Sequence, residues 1–240
     1  TDDAGNTASC DWAVDVLDVF AAPGFRVLSA ELAADGSTDV TLGWEATTGA
    51  DVTEIRLDRA RTEAGPWEEL ATFVPGRPTL TYTDAAVPSS VQYYRLVALA
   101  GTIEGGIAGP VRAFALADHE YHLLAQSVPG VPFATSLFAV VRHPRDLSAG
   151  PFPVVLFMHG NHGNCRPLSL DEDECETRQG HECETPGFTT TPNARGYIYL
   201  QDTLSSQGYV TASVSANALN CRMDFIGERV QLILEHLRRW

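Results

Sequence analysis

The sequence contains no lysine. All 16 of its basic residues are arginine, against 31 acids, which leaves a formal net charge of −15 over 240 residues. A chain without lysine can neither form a lysine Schiff base nor supply the lysine of a P-loop. Its negative field repels nucleic acid and anionic membrane surfaces, so we expect neither as a partner.

Long apolar runs are missing too. No stretch of about 20 apolar residues occurs, so we expect no membrane-spanning helix. Residues 1–6 lack the basic start and apolar segment of a signal peptide and are typical of a mature N-terminus left after processing. The five cysteines include no C-x-x-C pair, which favours disulfides in an oxidising compartment over a metal cluster. The sequence therefore predicts a secreted protein.

The first half of the chain reads as an all-β sandwich, because short alternating stretches are separated by turn residues. Seven strands are predicted, at 26–33, 39–46, 54–61, 67–73, 79–83, 92–100 and 111–116. Trp44 in the second strand and Tyr94-Arg95-Leu96 in the sixth resemble a fibronectin type III domain. The resemblance implies a spacer or adhesive module with Trp44 and Tyr94 in its core. Trp67 and Tyr93 are the aromatics that could be exposed to a polymer or glycan.

The second half alternates strands and helices. Strands are predicted at 118–128, 135–143, 154–158 and 209–215, and helices begin near Asn193 and Asp224. The first two strands are joined by a turn containing Pro and Gly and read as an antiparallel pair. The third, entered through prolines and left through His-Gly, reads as a strand buried on both faces. The alternation predicts a doubly wound, mostly parallel sheet with right-handed crossovers.

A long loop follows the third of these strands, from Asn161 to about Pro192. It carries three cysteines, so we expect disulfides to tie it down. Cys175 and Cys183 enclose seven residues and form one candidate pair. Cys165 and Cys221 follow neighbouring strands and form the other. Cys10 is left over and suggests a partner outside this sequence.

The same loop holds an acidic run at 171–176. Asp171, Asp173 and Glu176 could offer oxygen ligands to Ca²⁺, but the run lacks the glycine and terminal glutamate spacing of an EF-hand loop. A solvated acidic loop is therefore the favoured interpretation. No cofactor is predicted.

From about Asp118 to Trp240 the chain resembles the α/β-hydrolase superfamily, in particular secreted esterases of the cutinase-like, polyester-hydrolase and dienelactone-hydrolase type. The resemblance rests on the segments His159-Gly160-Asn161-His162-Gly163, Gly196-Tyr197, Ser206-Gln207-Gly208-Tyr209-Val210-Thr211 and Ser215-Ala216-Asn217. It implies ester hydrolysis by a Ser-His-Asp triad. The backbone N–H of Asn161 would stand in the oxyanion hole, with His159 and His162 as supporting residues of that loop.

The triad itself is not found within these 240 residues, because no serine stands in a G-x-S-x-G setting. In that family the strand ending at His159 lies between the strand ending at Ser215 and the strand that carries the nucleophile. Without the latter, Val154–Met158 would be an exposed apolar edge, which soluble proteins avoid.

We therefore expect an N-terminal segment at 1–23, a fibronectin type III-like sandwich at 24–116, and the N-terminal half of a hydrolase domain at 117–240. The partner would be the C-terminal remainder, as a second chain or a further segment, bringing nucleophile, acid and base to an ester substrate. The alternative is a non-catalytic extracellular adhesion or structural protein, built on the β-sandwich and a degenerate hydrolase scaffold.

Overall fold

The computed structural model describes residues 24–45, 52–76, 79–87, 91–167, 183, 186–220 and 225–240. This part of the chain contains thirteen strands and two α-helices. The strands are β1 Arg26–Leu32, β2 Thr38–Glu45, β3 Glu54–Ala60, β4 Glu68–Phe73, β5 Thr79–Val87, β6 Val91–Ala100, β7 Ile103–Phe114, β8 Leu116–Gln126, β9 Thr135–Pro144, β10 Val154–Met158, β11 Cys165–Pro167, β12 Phe188–Thr190 and β13 Val210–Val214. The helices are α1 Ile198–Ser206 and α2 Ile226–Arg239.

Strands β1 to β7 form the predicted sandwich. One antiparallel sheet has the order β1-β2-β5 and the other the order β4-β3-β6-β7. Alternate residues of β2 and β3 point inward, as a two-layer sandwich requires. Trp44 and Tyr94 are fully buried in the core between the sheets, and the Phe73 ring meets the Trp44 ring edge-on at 5.1 Å. The fibronectin type III-like sandwich is confirmed.

The predicted surface aromatics of the sandwich are both partly buried. Trp67 packs under the Arg95 guanidinium, whose carbon lies 4.4 Å from the centre of the Trp67 ring, and Tyr93 is half-buried on β6. Contact of Trp67 or Tyr93 with a glycan stays a prediction. The N-terminal segment at 1–23 lies outside the described residues.

The second sheet has the order β10-β13-β9-β8. Only β10 and β13 pair in parallel, while β13 with β9 and β9 with β8 pair antiparallel. The prediction of a mostly parallel, doubly wound sheet is therefore wrong for the described residues. The sequence pattern located the strands, and β10 lies where it was predicted, but a buried strand's apolar run does not specify the direction of its neighbours.

The two helices cover opposite faces of this sheet. Helix α1 packs on the face that carries Phe138 and Val140, and it also contacts β1 of the sandwich. Helix α2 packs its buried Leu232 against Leu137 and Val214 of the other face. Among the described residues, no helix is long and apolar enough to cross a bilayer.

The buried side of α1 is polar. The Gln201 amide donates to the backbone carbonyl of Val140 at 2.9 Å, and the Ser205 and Thr211 hydroxyls are 3.2 Å apart. Asp202 accepts from the Arg142 guanidinium at 2.8 Å and from the backbone N–H of Leu32 in the sandwich. Hydrogen bonds thus join the sandwich, α1 and the second sheet.

The disulfide differs from both predicted pairs. Cys165 is bonded to Cys183, so the pairs Cys165–Cys221 and Cys175–Cys183 are wrong. Strand β11 pairs with β12 so that Cys165 lies opposite Thr190. Because the Thr190 hydroxyl accepts the backbone N–H of Cys183 at 2.8 Å, it brings the two cysteines together. Outside the described residues lie Cys10, Cys175, Cys221, Asp171, Asp173 and Glu176.

Candidate functional site

Strand β10 has one open side. The carbonyl of Pro153 accepts the N–H of Val210 at 2.9 Å, so Pro153 faces β13. Because backbone groups alternate along a strand, the N–H and C=O of Val154, Leu156 and Met158 point the other way. No strand within the described residues pairs with that side. Three donors and three acceptors of the main chain are therefore available there.

The open side of β10 lacks the features that usually protect an edge strand. Sheet edges are normally blunted by charge, bulges or proline. Residues 150–162 contain no Asp, Glu or Arg, and the pairing of β10 with β13 has no register shift. Strand β8, at the other edge of the same sheet, carries Asp118 and Glu120 and a register shift. Val154 is 51% exposed.

A groove of about 520 Å³ lies on one face of this sheet and runs across its strands. Its lining includes Val154 of β10, Val210 of β13, Val141 of β9, and Tyr121 and Trp240. The Trp240 indole donates to the Tyr121 hydroxyl at 3.0 Å, and this hydroxyl is also hydrogen-bonded to Nδ1 of the buried His236. Val154 reaches the groove from β10, whereas the other strands that line it lie on the side of β10 away from the open edge.

Helix α2 carries a second exposed apolar surface. Ile226, Val230, Leu234 and Leu237 recur every three to four residues and are 38–71% exposed. This row, which we call the α2 stripe, lies on the side of the helix away from the buried Leu232. Burial of one helical face against the sheet thus leaves another apolar face without a partner among the described residues.

His159 connects the loop after β10 to the loop after β13. It is 5% exposed; its Nε2 accepts the N–H of Ala216 at 2.8 Å, and its Nδ1 bonds to the carbonyl of Gly160 at 2.9 Å. These partners place the proton on Nδ1 and leave the ring neutral. The pKa of His159 is lowered to about 4, mainly by burial and to a smaller extent by the neighbouring Arg229 charge, while the bond to the Gly160 carbonyl acts in the opposite sense.

Arginine and asparagine side chains tie the loops behind β10 together. Arg229 donates to the carbonyl of His159 at 3.1 Å and to the side chain of Asn220 at 2.6 Å. Asn193 donates to the carbonyl of Gly163 and to the side chain of Asn217, both at 2.9 Å. This network was not predicted from the sequence. The asparagines that follow β10 and β13 could have indicated it, because such side chains often hydrogen-bond the backbone of loops.

The residues predicted for the oxyanion loop are divided between surface and interior. Asn161 and His162 are exposed, whereas His159 is buried. The ring centres of His159 and His162 are 6.4 Å apart. The role of the Asn161 N–H and the supporting roles of His159 and His162 stay predictions. The serines near these loops are buried, at 0–3% exposure: Ser205, Ser206, Ser213 and Ser215.

Within the described ranges, no group of three or more His, Cys, Asp or Glu side chains is placed to hold a metal ion. The calcium candidates fall outside those ranges. The described features of this region are an open strand edge, an apolar groove on one face of the sheet, and a hydrogen-bonded layer of loops behind β10.

No family model matches the sequence, and no curated protein matches it. A crystal structure of an Fn3-like protein from Clostridium thermocellum is similar, with 24% identity and a TM-score of 0.28, covering 38% of this chain and 92% of that one. The assignment of the sandwich rests on the strand order given above.

The resemblance to α/β-hydrolases is corrected by the sheet topology. The described part of the chain is mostly antiparallel β-structure with two α-helices, in place of the mostly parallel, doubly wound sheet that the resemblance implies. The motifs that suggested the family are short: two of them lie in the loops that follow β10 and β13, and the segment Ser206–Thr211 runs from the end of α1 into β13. Glycine and asparagine in such segments also suit tight turns in unrelated folds.

Proposed function

We propose that this chain is a non-catalytic extracellular adhesion or structural protein that binds another polypeptide along the open side of β10. The observation that carries the proposal is the set of six backbone groups on Val154, Leu156 and Met158 that no strand of the described part of the chain pairs with. An extended segment laid against them adds a strand to the sheet. Main-chain hydrogen bonds then contribute affinity, and side-chain contacts contribute specificity.

The energies involved point to an interaction that also needs apolar contacts. A net contribution of about 0.5–1.5 kcal/mol for each of six hydrogen bonds gives about 3–9 kcal/mol. Loss of translational and rotational freedom on association costs about 4–15 kcal/mol. The hydrogen bonds alone therefore contribute too little free energy to offset the cost of association. The β10 side chains, which are partly exposed, with Val154 at 51%, supply apolar contact area that makes up the rest of the binding free energy.

The sandwich suits the role of a fixed spacer in this proposal. It is joined to the second sheet through the bond from the N–H of Leu116 to the Thr38 hydroxyl, at 2.8 Å, and through Asp202. These contacts hold β10 at a set distance from the sandwich. The Cys165–Cys183 disulfide supports an extracellular location, because such bonds persist in oxidising compartments.

Hydrogen exchange followed by NMR tests whether the β10 edge is open. In a dilute sample, the amides of Val154, Leu156 and Met158 should exchange much faster than those of Val155 and Phe157, which face β13. Equal protection of both sets would mean that the edge is already covered by this chain, and the proposal would fail.

An activity measurement tests the non-catalytic part separately. The purified chain should neither hydrolyse a short p-nitrophenyl ester nor react with a serine-directed phosphonate. Turnover that is lost after phosphonate labelling would contradict the proposal and favour an ester hydrolase, in which the Asn161 loop serves as the oxyanion hole.

A further inference from the structure

We propose that the segment bound by β10 is the β10 strand of a second copy of this chain, running antiparallel about a two-fold axis at Leu156. This inference rests on the proposed function, since it names the partner of the same edge. An isologous contact of this kind closes on itself and gives a dimer. The two second sheets then become one continuous sheet.

The hydrogen-bond register of such a pair is self-consistent. With Leu156 opposite Leu156 of the second copy, Val154 lies opposite Met158 and Met158 opposite Val154. These are the residues whose N–H and C=O face the open side. In an antiparallel ladder, opposed residues of this type exchange both hydrogen bonds. All six open backbone groups of each copy are satisfied.

The side chains fit the same register. Val155 of one copy comes opposite Phe157 of the other, in the closer, non-hydrogen-bonded kind of pair. Aromatic and β-branched residues form favourable cross-strand pairs. Phe157 is already oriented by Tyr197, whose ring is stacked on it at 5.2 Å. Proline does not interfere, because Pro153 faces β13.

The absence of charged residues around β10 also favours self-association through this edge. Two copies that each carry −15 repel one another over most of their surface. The segment 150–162 contains no Asp, Glu or Arg, so no like charges meet along the paired strands. The remaining repulsion acts at longer range and is screened by salt. Dimerisation is therefore expected to strengthen as ionic strength rises.

The available area predicts a weak dimer. Five paired residues extend about 17 Å, and three layers of helix, sheet and helix are about 30 Å deep, which gives about 500 Å² per copy. The total of about 1,000 Å² is below the range of about 1,200–2,000 Å² for stable complexes. We expect a dissociation constant on the order of 10–100 μM.

Cysteine cross-linking tests the register directly. In the proposed pair the Cα atoms of the two Leu156 residues are about 5.5 Å apart, which a disulfide can span. The Cα atoms of the two Val154 residues are about 14 Å apart, which it cannot. Under mild oxidation at 100 μM, Leu156→Cys should give a covalent dimer that is absent from the wild type and from the matched control Val154→Cys.

Sedimentation velocity tests the surface with variants that should keep the fold. Val154→Lys changes a side chain that is 51% exposed at the open edge, and Leu124→Lys changes one that is 64% exposed on the opposite edge strand, β8. Val154→Lys should weaken the dimer by about tenfold or more. Leu124→Lys should leave the dissociation constant within about twofold.

The outcomes separate this inference from the proposed function. Dimerisation without a Leu156→Cys cross-link, or with equal cross-linking at Val154→Cys, overturns the register and the second copy as partner. A chain that stays monomeric at 100 μM, with rapidly exchanging Val154 and Leu156 amides, also overturns the second copy. In that case the proposed function still holds, with a strand of a different polypeptide as the partner of the open edge. Slow exchange of those amides in a monomer contradicts the proposed function itself.

Discussion

The stability of the second sheet should fall as the pH is lowered from 7 to 5. All seven histidines lie at or beyond position 119, so the sandwich contains none. His159 and His236 are the two whose pKa values are lowered to about 4, in both cases mainly by burial. Their neighbours add to this effect, since Arg229 faces His159 and Arg239 lies near His236, where Glu235 acts in the opposite sense.

The sign follows from the difference between folded and unfolded chains. An unfolded histidine titrates near 6.5, so between pH 6.5 and 4 the unfolded state binds more protons than the folded state. The free energy of unfolding must therefore decrease as the pH falls through this window. At about 1.4 kcal/mol per pKa unit, each histidine costs about 3 kcal/mol below pH 4 and about 2 kcal/mol at pH 5. Both together cost about 4 kcal/mol at pH 5.

Urea unfolding at pH 7 and pH 5 measures this loss. The matched variants are His159→Gln and His236→Gln, because glutamine keeps a polar side chain but does not titrate. Each should be less stable than the wild type at pH 7, yet should lose about 2 kcal/mol less on going to pH 5. In a background with Trp12, Trp67 and Trp240 replaced by phenylalanine, fluorescence of the buried Trp44 follows the sandwich, whose unfolding should change little over the same range.

The double variant His159→Gln/His236→Gln should lose much less unfolding free energy than the wild type between pH 7 and pH 5. An equal loss in the two proteins would contradict the assignment of the pH dependence to these histidines. NMR titration of the histidine ring protons provides an independent measure. A pKa near 6.5 for either His159 or His236 in the folded protein would contradict the burial explanation for that residue.

Two further predictions concern the sandwich and the disulfide. Tyr94→Phe removes the bond from the buried Tyr94 hydroxyl to Asp84, 2.8 Å long; it should lower the unfolding free energy of the sandwich by about 1.5–3 kcal/mol, as measured by urea unfolding, with Tyr93→Phe as a nearly neutral control. Cys183→Ser opens a disulfide that spans 18 residues. It should cost about 3 kcal/mol, and a reducing agent should lower the stability of the wild type, but not of this variant, by a similar amount.

The sequence predicted the strands better than their arrangement. Alternation located β2 and β3 to within a residue or two, because side-chain period depends on local geometry, and a short apolar run located β10. The pairing of β13 with β9 depends on residues about 70 positions apart, which no local pattern records. The disulfide was missed for the same reason, since Thr190 brings Cys183 to Cys165. The resemblance to hydrolases failed because it relied on short segments, which do not specify how the strands pair.

The candidate site was predicted in part. The sequence placed the strand Val154–Met158 correctly, but its apolar run predicted burial on both faces, whereas its side chains are partly exposed and Val154 is 51% exposed. The open edge was expected only from the place of this strand in the hydrolase sheet, a resemblance that the structure corrects. The loops behind it were not predictable in detail. Arg229 and Asn193 are polar residues that sequence reasoning assigns to the surface, yet the structure uses them to satisfy carbonyl groups at the ends of buried strands.

Asp202 has a mechanical consequence. Its carboxylate binds Arg142 of the second sheet and the backbone N–H of Leu32 of the sandwich at the same time. The sandwich is therefore held against the second sheet and is not connected to it by the chain alone. A pulling force applied to the sandwich passes through this carboxylate into β9, which is two strands from the open edge. If the sandwich and the second sheet were produced as separate proteins, divided near Leu116, Asp202 would lose its hydrogen bond from Leu32. We therefore expect each separate part to have a lower free energy of unfolding than it has in the whole chain.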